Sequence, residues 1–409
     1  MIKEQLKEAK KACRFMQNVK PKVKNKALKN ISEALIQKSE LIIQENQKDI
    51  AAAKNNGIKE SMVDRLLLNK ERIEAMAKDI LKVIDLQDPI GTLVREIKRP
   101  NGLVIQQIRI PLGVIGVIYE SRPNVTVDIA SLCIKTNNVC VLKGGKEAIH
   151  SNRILVQIIN EAIQDVLPAH TVTLIETKKR EETLDLIQAH DYVDVIIPRG
   201  SAGLIQYVVK NATVPVIETG AGICHLYVDQ EASLDMALEI AKNAKIQRPS
   251  VCNAIETILV HQKVAPEFLP KLKEIFKNVQ IYGDEKTRKI IDCLKATKKN
   301  YATEYDDYIC NVKVVEDMEE AIEHIYTYST KHSESIVTEN KETAKYFMES
   351  LDSACVYHNA STRFSDGGEF GFGAEVGIST QKLHARGPLG LQEITSTKYM
   401  IYGKGQVRS

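Results

Sequence analysis

The run PLGVIGVIYESRPNVTVDIASLCIKTNNVCVLKGGKEAIHSN, residues 111–152, decides the fold. GVIGVI (113–118) and NVCVL (138–142) are short, apolar throughout and rich in β-branched residues. Strands of that kind are covered on both faces, the signature of a parallel sheet. TVDIASLCIKT lies between them with helical spacing, and EAIHSNRILVQIINEAIQ follows as a second helix. A strand, a helix and another strand in that order form a βαβ unit, whose crossover places the helix against the sheet.

The alternation continues toward the C-terminus. Strands are expected over 172–175, 192–198 and 215–218, with helices over KKREETLDLIQAH (178–190) and SAGLIQYVVKN between them. A strand over 225–229 leads to helix 231–246, strand 255–261, helix 264–277, a lysine-rich stretch near 286–299, strand 308–315, helix 317–330 and strand 334–338. This second series reads as another α/β unit. Residues 1–88 carry apolar residues three and four apart, as amphipathic helices do, with interleaved lysines and acids on the solvated face. REIKRPNGLVIQQIRIP holds two alternating stretches around Asn101-Gly102, a hairpin signal. A lone hairpin is marginal in water, so it should add to another sheet, with the strand-like tail TSTKYMIYGKGQVR as a partner.

At 409 residues two or three domains are expected. Fifty-six Lys+Arg against 53 Asp+Glu give a formal charge of +3, too balanced to argue for nucleic acid or an anionic membrane. The eight cysteines show neither metal-ligand nor disulfide spacing, which suits a reduced, cytoplasmic protein. The start lacks the apolar core of a signal peptide, and nothing reaches membrane-spanning length.

The notable polar groups follow the carboxyl ends of expected strands, where open parallel sheets bind ligands. Arg122-Pro123-Asn124 follows the first strand, Lys143-Gly144-Gly145-Lys146 the second, Arg199-Gly200-Ser201 the fourth and Glu218-Thr219-Gly220 the fifth. Two lysines flanking glycines at a helix start suit a phosphate, though neither standard nucleotide fingerprint is present. Gly200-Ser201 reads as an N-cap or a pyrophosphate turn. Asn124 reads as a turn residue or an oxyanion donor, and Glu218 as an acid/base group, a cofactor contact or a cap partner. In QRPSVCNAIETILVH (247–261), Cys252 sits on a polar loop leading into a strand. It is either a small buried hydrophobe or a nucleophile in electropositive surroundings.

These runs, together with VIIPRGSAGLIQYV, IETGAGICHLYVD, HIYTYSTKHSESIVT and EFGFGAEVGISTQKLHARGPLGL, resemble the aldehyde dehydrogenase superfamily along essentially the whole chain, and within it the branch that reduces an acyl phosphate. The resemblance implies two doubly wound parallel-sheet α/β domains plus a small β oligomerisation flap. The NADPH-binding domain is expected at 1–93 with 111–228 and about 360–385, the catalytic domain at 229–359, and the flap at 94–110 with 386–409. It implies Cys252 as the catalytic thiol, Asn124 and the Cys252 N–H as oxyanion donors, and Glu218 as the superfamily's base. Lys143, Gly145 and Lys146 would hold the adenosine ribose, with Lys146 in place of an acid favouring NADPH. Gly200 and Ser201 would take the pyrophosphate. Glu304 stands near the position of a glutamate that holds the nicotinamide ribose, although its surroundings depart from the superfamily motif. Arg122, Arg248, Arg363 and Arg386 are the candidate clamps for the substrate's charged ends.

The reaction so implied is NADPH-dependent reduction of L-glutamyl 5-phosphate to glutamate 5-semialdehyde through a Cys252 thioester, a step of proline synthesis. The enzyme would be a homo-oligomer, with no metal, and a separate glutamate 5-kinase would be a functional partner. The alternatives are a non-phosphorylating NAD(P)-dependent aldehyde dehydrogenase, told apart by phosphate dependence, and a catalytically silent binding protein, told apart by substrate-protected alkylation of one thiol.

Overall fold

The computed structural model describes residues 2–58, 60–176 and 180–408. It divides into two compact units: residues 1–218 with 371–377 and 389–409, and residues 219–370 with 378–388.

The first unit opens with five helices, Ile2–Met16, Pro21–Gln37, Ser39–Asn55, Glu60–Leu66 and Lys70–Asp85. The earliest buries Leu6, Ala9, Cys13 and Met16, the three- and four-residue spacing that puts side chains on one face. Pro21 begins the second, where its missing N–H costs nothing. The side chain of Asn69 caps the fifth by accepting from the Arg72 N–H. Beyond them lies a parallel four-stranded sheet in the order Val172–Leu174, Val139–Gly144, Val114–Tyr119, Val195–Arg199. All six residues of Val114–Tyr119 are buried, as a strand covered on both faces must be. The crossover helices are Asn124–Lys135, Ile149–Ile163, Arg180–Ile187 and Ala202–Asn211. The first two residues of the helix expected over 178–190 lie outside the described residues. The strand expected over 215–218 is reduced to a single bridge, Ile196 to Val216.

The hairpin forms as its turn signal requires. Leu93–Lys98 pairs antiparallel with Val104–Pro111, and Gly102 takes φ +87°, which favours glycine. The tail strand Thr395–Tyr402 adds to the other edge, completing a three-stranded antiparallel sheet. Asn138 ties this tail to the parallel sheet. Its Oδ1 accepts from the Gly113 N–H at 2.8 Å, and its Nδ2 donates to the Ile394 carbonyl at 2.8 Å.

The second unit is built on seven strands. Their order is Leu294–Lys295, Gln280–Gly283, Ile309–Val315, Ile255–His261, Cys224–Val228, Ser333–Val337, Cys355–His358, all parallel. Helices Leu234–Ile246 and Ala265–Ile275 contribute Ala237, Ala241, Phe268 and Leu272 to its main core, while Met318–Tyr328 and Lys341–Ser350 contribute Ile325 and Phe347 to a second cluster.

The boundary differs from the sequence expectation. Cys224–Val228 pairs inside the seven-stranded sheet and not with the first unit, because its backbone partners are Ile255–Val260 and Glu334–Val337. Most of 360–385 also falls in the second unit, with only 371–377 in the first. Gln280–Gly283 and Cys355–His358, unforeseen from the sequence, are short strands away from the centre of the sheet.

Asn138→Ala would leave the Gly113 N–H and the Ile394 carbonyl without their bonds in a buried site. Each orphaned group costs about 1–3 kcal/mol. Urea unfolding of the variant should therefore show a clearly lower midpoint, and an unchanged midpoint would count against this role.

Candidate active site

Glu120 and Glu147 organise the strand ends of the first unit. After Val114–Tyr119 the chain turns through Glu120 and Ser121, which takes φ +48°, into the helix beginning at Asn124. Glu147 Oε1 accepts from the Ser121 N–H at 2.7 Å and its hydroxyl at 3.0 Å, joining this turn to the turn after Val139–Gly144. Glu120 Oε2 accepts from the Ser201 N–H at 2.9 Å, joining it to the turn after Val195–Arg199. The Ser201 side chain caps the helix Ala202–Asn211 by accepting from the Leu204 N–H. The loops carrying Asn124, Lys143-Gly144-Gly145-Lys146 and Gly200-Ser201 are thus tied together.

Lys143 is half-buried and Lys146 exposed. Burial pulls the Lys143 ammonium below its usual range, against the opposing pull of Glu147 and Glu120. A Cβ at Gly144 would stand 2.0 Å from Asn152 Nδ2, so a side chain there would have to displace that buried amide. Asn124 begins its helix half-buried, and its Nδ2 donates to Asp128 Oδ2 at 2.9 Å. Burial pushes the Asp128 carboxyl up to about 6; the Asn124 bond opposes this, Asp79 adds to it and Arg199 counters it.

In the second unit Cys252 lies half-buried on a turn three residues before the strand Ile255–His261. Its neighbour Asn253 is clamped by the segment after Cys355–His358. Asn253 Nδ2 donates to the carbonyls of Ser365 at 2.9 Å and Arg363 at 3.3 Å, and its carbonyl accepts from the Thr362 hydroxyl at 2.6 Å. The Arg363 guanidinium bonds Asn253 Oδ1 and, at 3.1 Å, Gln247 Oε1. Burial and then the like charge of Arg248 push Arg363 below its usual range, while Cys252 is close enough to pull the other way. Asp366 and Glu369 pull Arg363 in the same direction as Cys252, so this segment holds both cations and acids.

The chain matches the model of the aldehyde dehydrogenase family over residues 1–294. It is 53% identical to the gamma-glutamyl phosphate reductase of Halothermothrix orenii over 415 residues, covering 100% of this chain and 99% of that one. The chain of the same name from Petrotoga mobilis is 54% identical over 405 residues, with 98% and 97% covered. The crystal structure of gamma-glutamyl phosphate reductase from Thermotoga maritima superposes with a TM-score of 0.97 at 48% identity, covering 99% of each chain. The chain belongs to the gamma-glutamyl phosphate reductases, a branch of the aldehyde dehydrogenase family.

For a chain of this reductase family the four candidate arginines divide. Arg363 is close enough to Cys252 to feel its charge, and the exposed Arg248 acts on Arg363 as a like charge. Arg122 is half-buried in the turn before Asn124. Arg386 is occupied elsewhere: its guanidinium bonds Asp352 Oδ1 at 2.8 Å and the Asp352 carbonyl at 2.7 Å. Lys331 and Lys382 converge on the same carboxylate, so Arg386 fastens its own loop. Glu218 is half-buried. Glu304 Oε1 accepts from the Gly222 N–H at 2.7 Å. Asp128, Glu120, Glu147 and Asn253 escaped the sequence reading, because an acid or amide near a turn carries no local sign of the N–H it will meet. Among the described residues no group of three or more His, Cys, Asp or Glu is placed to hold a metal ion, and no helix is long and apolar enough to cross a membrane.

The raised carboxyl of Asp128 carries a sign. Its stabilising contribution is full below the unfolded value of 3.8 and is lost as pH rises through about 6. Asp128→Asn should therefore lower the Tm at about pH 4 relative to the Tm at about pH 7, compared with the wild type. A difference equal to the wild type's would contradict the assignment.

Proposed function

We propose that this chain reduces L-glutamyl 5-phosphate to glutamate 5-semialdehyde and phosphate with NADPH, through an acyl thioester on Cys252. The single observation carrying the mechanism is the placement of Cys252, half-buried within electrostatic reach of the Arg363 guanidinium and next to an asparagine clamped by 362–365.

The cofactor reading draws its support from the charge at the strand ends. The Ser121 and Ser201 N–H groups are held by carboxylate oxygens of Glu147 and Glu120, at 2.7 and 2.9 Å, so a pyrophosphate at the helix start would have to displace those carboxylates. Lys143 and the exposed Lys146 supply positive charge beside it, which suits the extra ribose phosphate of NADPH better than an acid would. When bound, the nicotinamide supplies the hydride.

The Cys252 thiolate attacks the acyl carbon, whose phosphate is already an activated leaving group. The Asn124 amide and the Cys252 N–H donate to the developing oxyanion, where one such donor contributes roughly 3 kcal/mol. The C–O bond to phosphate breaks, leaving the thioester, and a cationic Arg363 meets the negative charge of substrate and leaving phosphate. After hydride transfer the tetrahedral carbon expels the Cys252 thiolate and the aldehyde departs. No step needs water as a nucleophile, so Glu218 has no deprotonation to perform in this direction. Arg122 and Arg248 are the remaining candidates for the charged ends of the substrate.

We further propose that the enzyme works in the cytoplasm as a homo-oligomer through the three-stranded antiparallel sheet, and is supplied by a separate glutamate 5-kinase. The exposed Tyr399 and Ile401 on that sheet support the first part, at 59% and 61% exposure.

Phosphate-dependent reduction of NADP+ by glutamate semialdehyde should be measurable in the wild type and lost in Cys252→Ala. Acid formation without phosphate would instead identify a non-phosphorylating dehydrogenase. Glu218→Gln should lower acyl-phosphate reduction by less than about tenfold, against about 10³-fold or more for Cys252→Ser. Equal losses would return a proton-transfer role to Glu218.

A further inference from the structure

We infer that Glu304 is a positioning residue for the nucleophile, acting on Cys252 through the backbone of Gly222. The inference rests on Cys252 being the nucleophile, and it assigns Glu304 a duty other than holding a cofactor ribose.

Two contacts converge on the Cys252 peptide. The backbone of Gly222 lies directly against it: a Cβ added at 222 would stand 1.4 Å from the Cys252 carbonyl oxygen and 2.8 Å from its Cα. Only glycine fits, and any movement of Gly222 is transmitted to Cys252. The Cys224 thiol donates to the same carbonyl oxygen at 3.2 Å, with His332 Nδ1 3.7 Å from that sulfur. Burial raises the Cys224 thiol well above its usual range, which keeps it a protonated donor and not a rival nucleophile. The loop bearing Gly222 is in turn held at two consecutive N–H groups. Gly222 donates to Glu304 Oε1 at 2.7 Å, and Ile223 donates to Thr330 Oγ1 at 3.0 Å.

The Gly222 bond is the charge-assisted one and the stronger of the two. Glu304 comes from the loop after the short helix Lys298–Tyr301, so it reaches the Gly222 loop from a distant stretch of chain. The Cys252 carbonyl belongs to the residue whose N–H is proposed as an oxyanion donor. Fixing that carbonyl fixes the plane of the next peptide and the rotation of the Cys252 backbone. A displacement of about 1 Å at such a centre costs on the order of 10²-fold in rate.

Two variants separate reach from charge in the full-length protein. Glu304→Gln keeps an acceptor oxygen at the same reach; Glu304→Asp keeps the charge but is one methylene too short. The measurements are kcat, the KM for NADPH, and the rate at which iodoacetamide alkylates Cys252 in enzyme without substrate or cofactor, read by peptide mapping. In Glu304→Asp we expect kcat to fall about 10–100-fold and the alkylation rate to change at least about fivefold, with KM for NADPH within about twofold of wild type. Glu304→Gln keeps the reach but makes only a neutral bond, so it should change kcat and alkylation in the same direction by less than Glu304→Asp does, again with KM for NADPH within about twofold of wild type. A tenfold or greater rise in KM for NADPH in both variants, with alkylation unchanged, would overturn the inference and make Glu304 a cofactor ligand. Absence of reductase activity in the wild type would sink the proposed reaction alone, since the alkylation comparison needs neither substrate nor cofactor.

Discussion

Strands buried on both faces impose the constraint from which the rest follows. Val114–Tyr119, Ile255–His261 and Cys224–Val228 are buried at every residue, so an uncompensated polar side chain inside them would carry a heavy desolvation cost. Polar groups that do enter come with partners. Lys245 meets Glu256 at 2.8 Å, and His225 meets Glu334 at 3.0 Å. The candidate site groups lie instead at the strand ends, where loops can reach water and ligand. Asn124, Lys143, Lys146, Ser201 and Cys252 all lie in such end segments.

Those loops are held by carboxylates acting on backbone N–H groups. Glu120 holds Ser201, Glu147 holds Ser121 and Glu304 holds Gly222, at 2.9, 2.7 and 2.7 Å. Each bond crosses from one loop to another, so each fixes the relative place of two segments. A charge-assisted bond is about twice as strong as a neutral one, and here it satisfies a donor that no strand or helix satisfies. Acids near the candidate site thus have work to do without serving as bases.

Positive charge follows a similar division. Arg363 is held by Asn253 and Gln247, whose amide oxygens accept its donors without neutralising it. Its charge remains available to a thiolate or an acyl phosphate. Arg386 is neutralised by Asp352, whose carboxyl is held well below its usual range by Arg386, Lys382 and Lys331. Two arginines of equal promise in the sequence therefore differ through whether their acceptors are amides or a carboxylate.

The periodicity of the chain was enough to determine the strands and helices around 111–152, the hairpin at Asn101-Gly102, and the loop that carries Cys252. Periodicity reports how each segment is covered, and that is a local property. Only the tertiary structure decided that Cys224–Val228 joins the seven-stranded sheet, since its apolar run suits either sheet equally well. Gln280–Gly283 and Cys355–His358 escaped because short, partly exposed strands lack a continuous apolar run. The pairs Asn124–Asp128, Glu304–Gly222 and Arg386–Asp352 were likewise settled by folding. A side chain's chemistry states what it can bond, but which donor or acceptor comes within 3 Å depends on segments distant in the sequence.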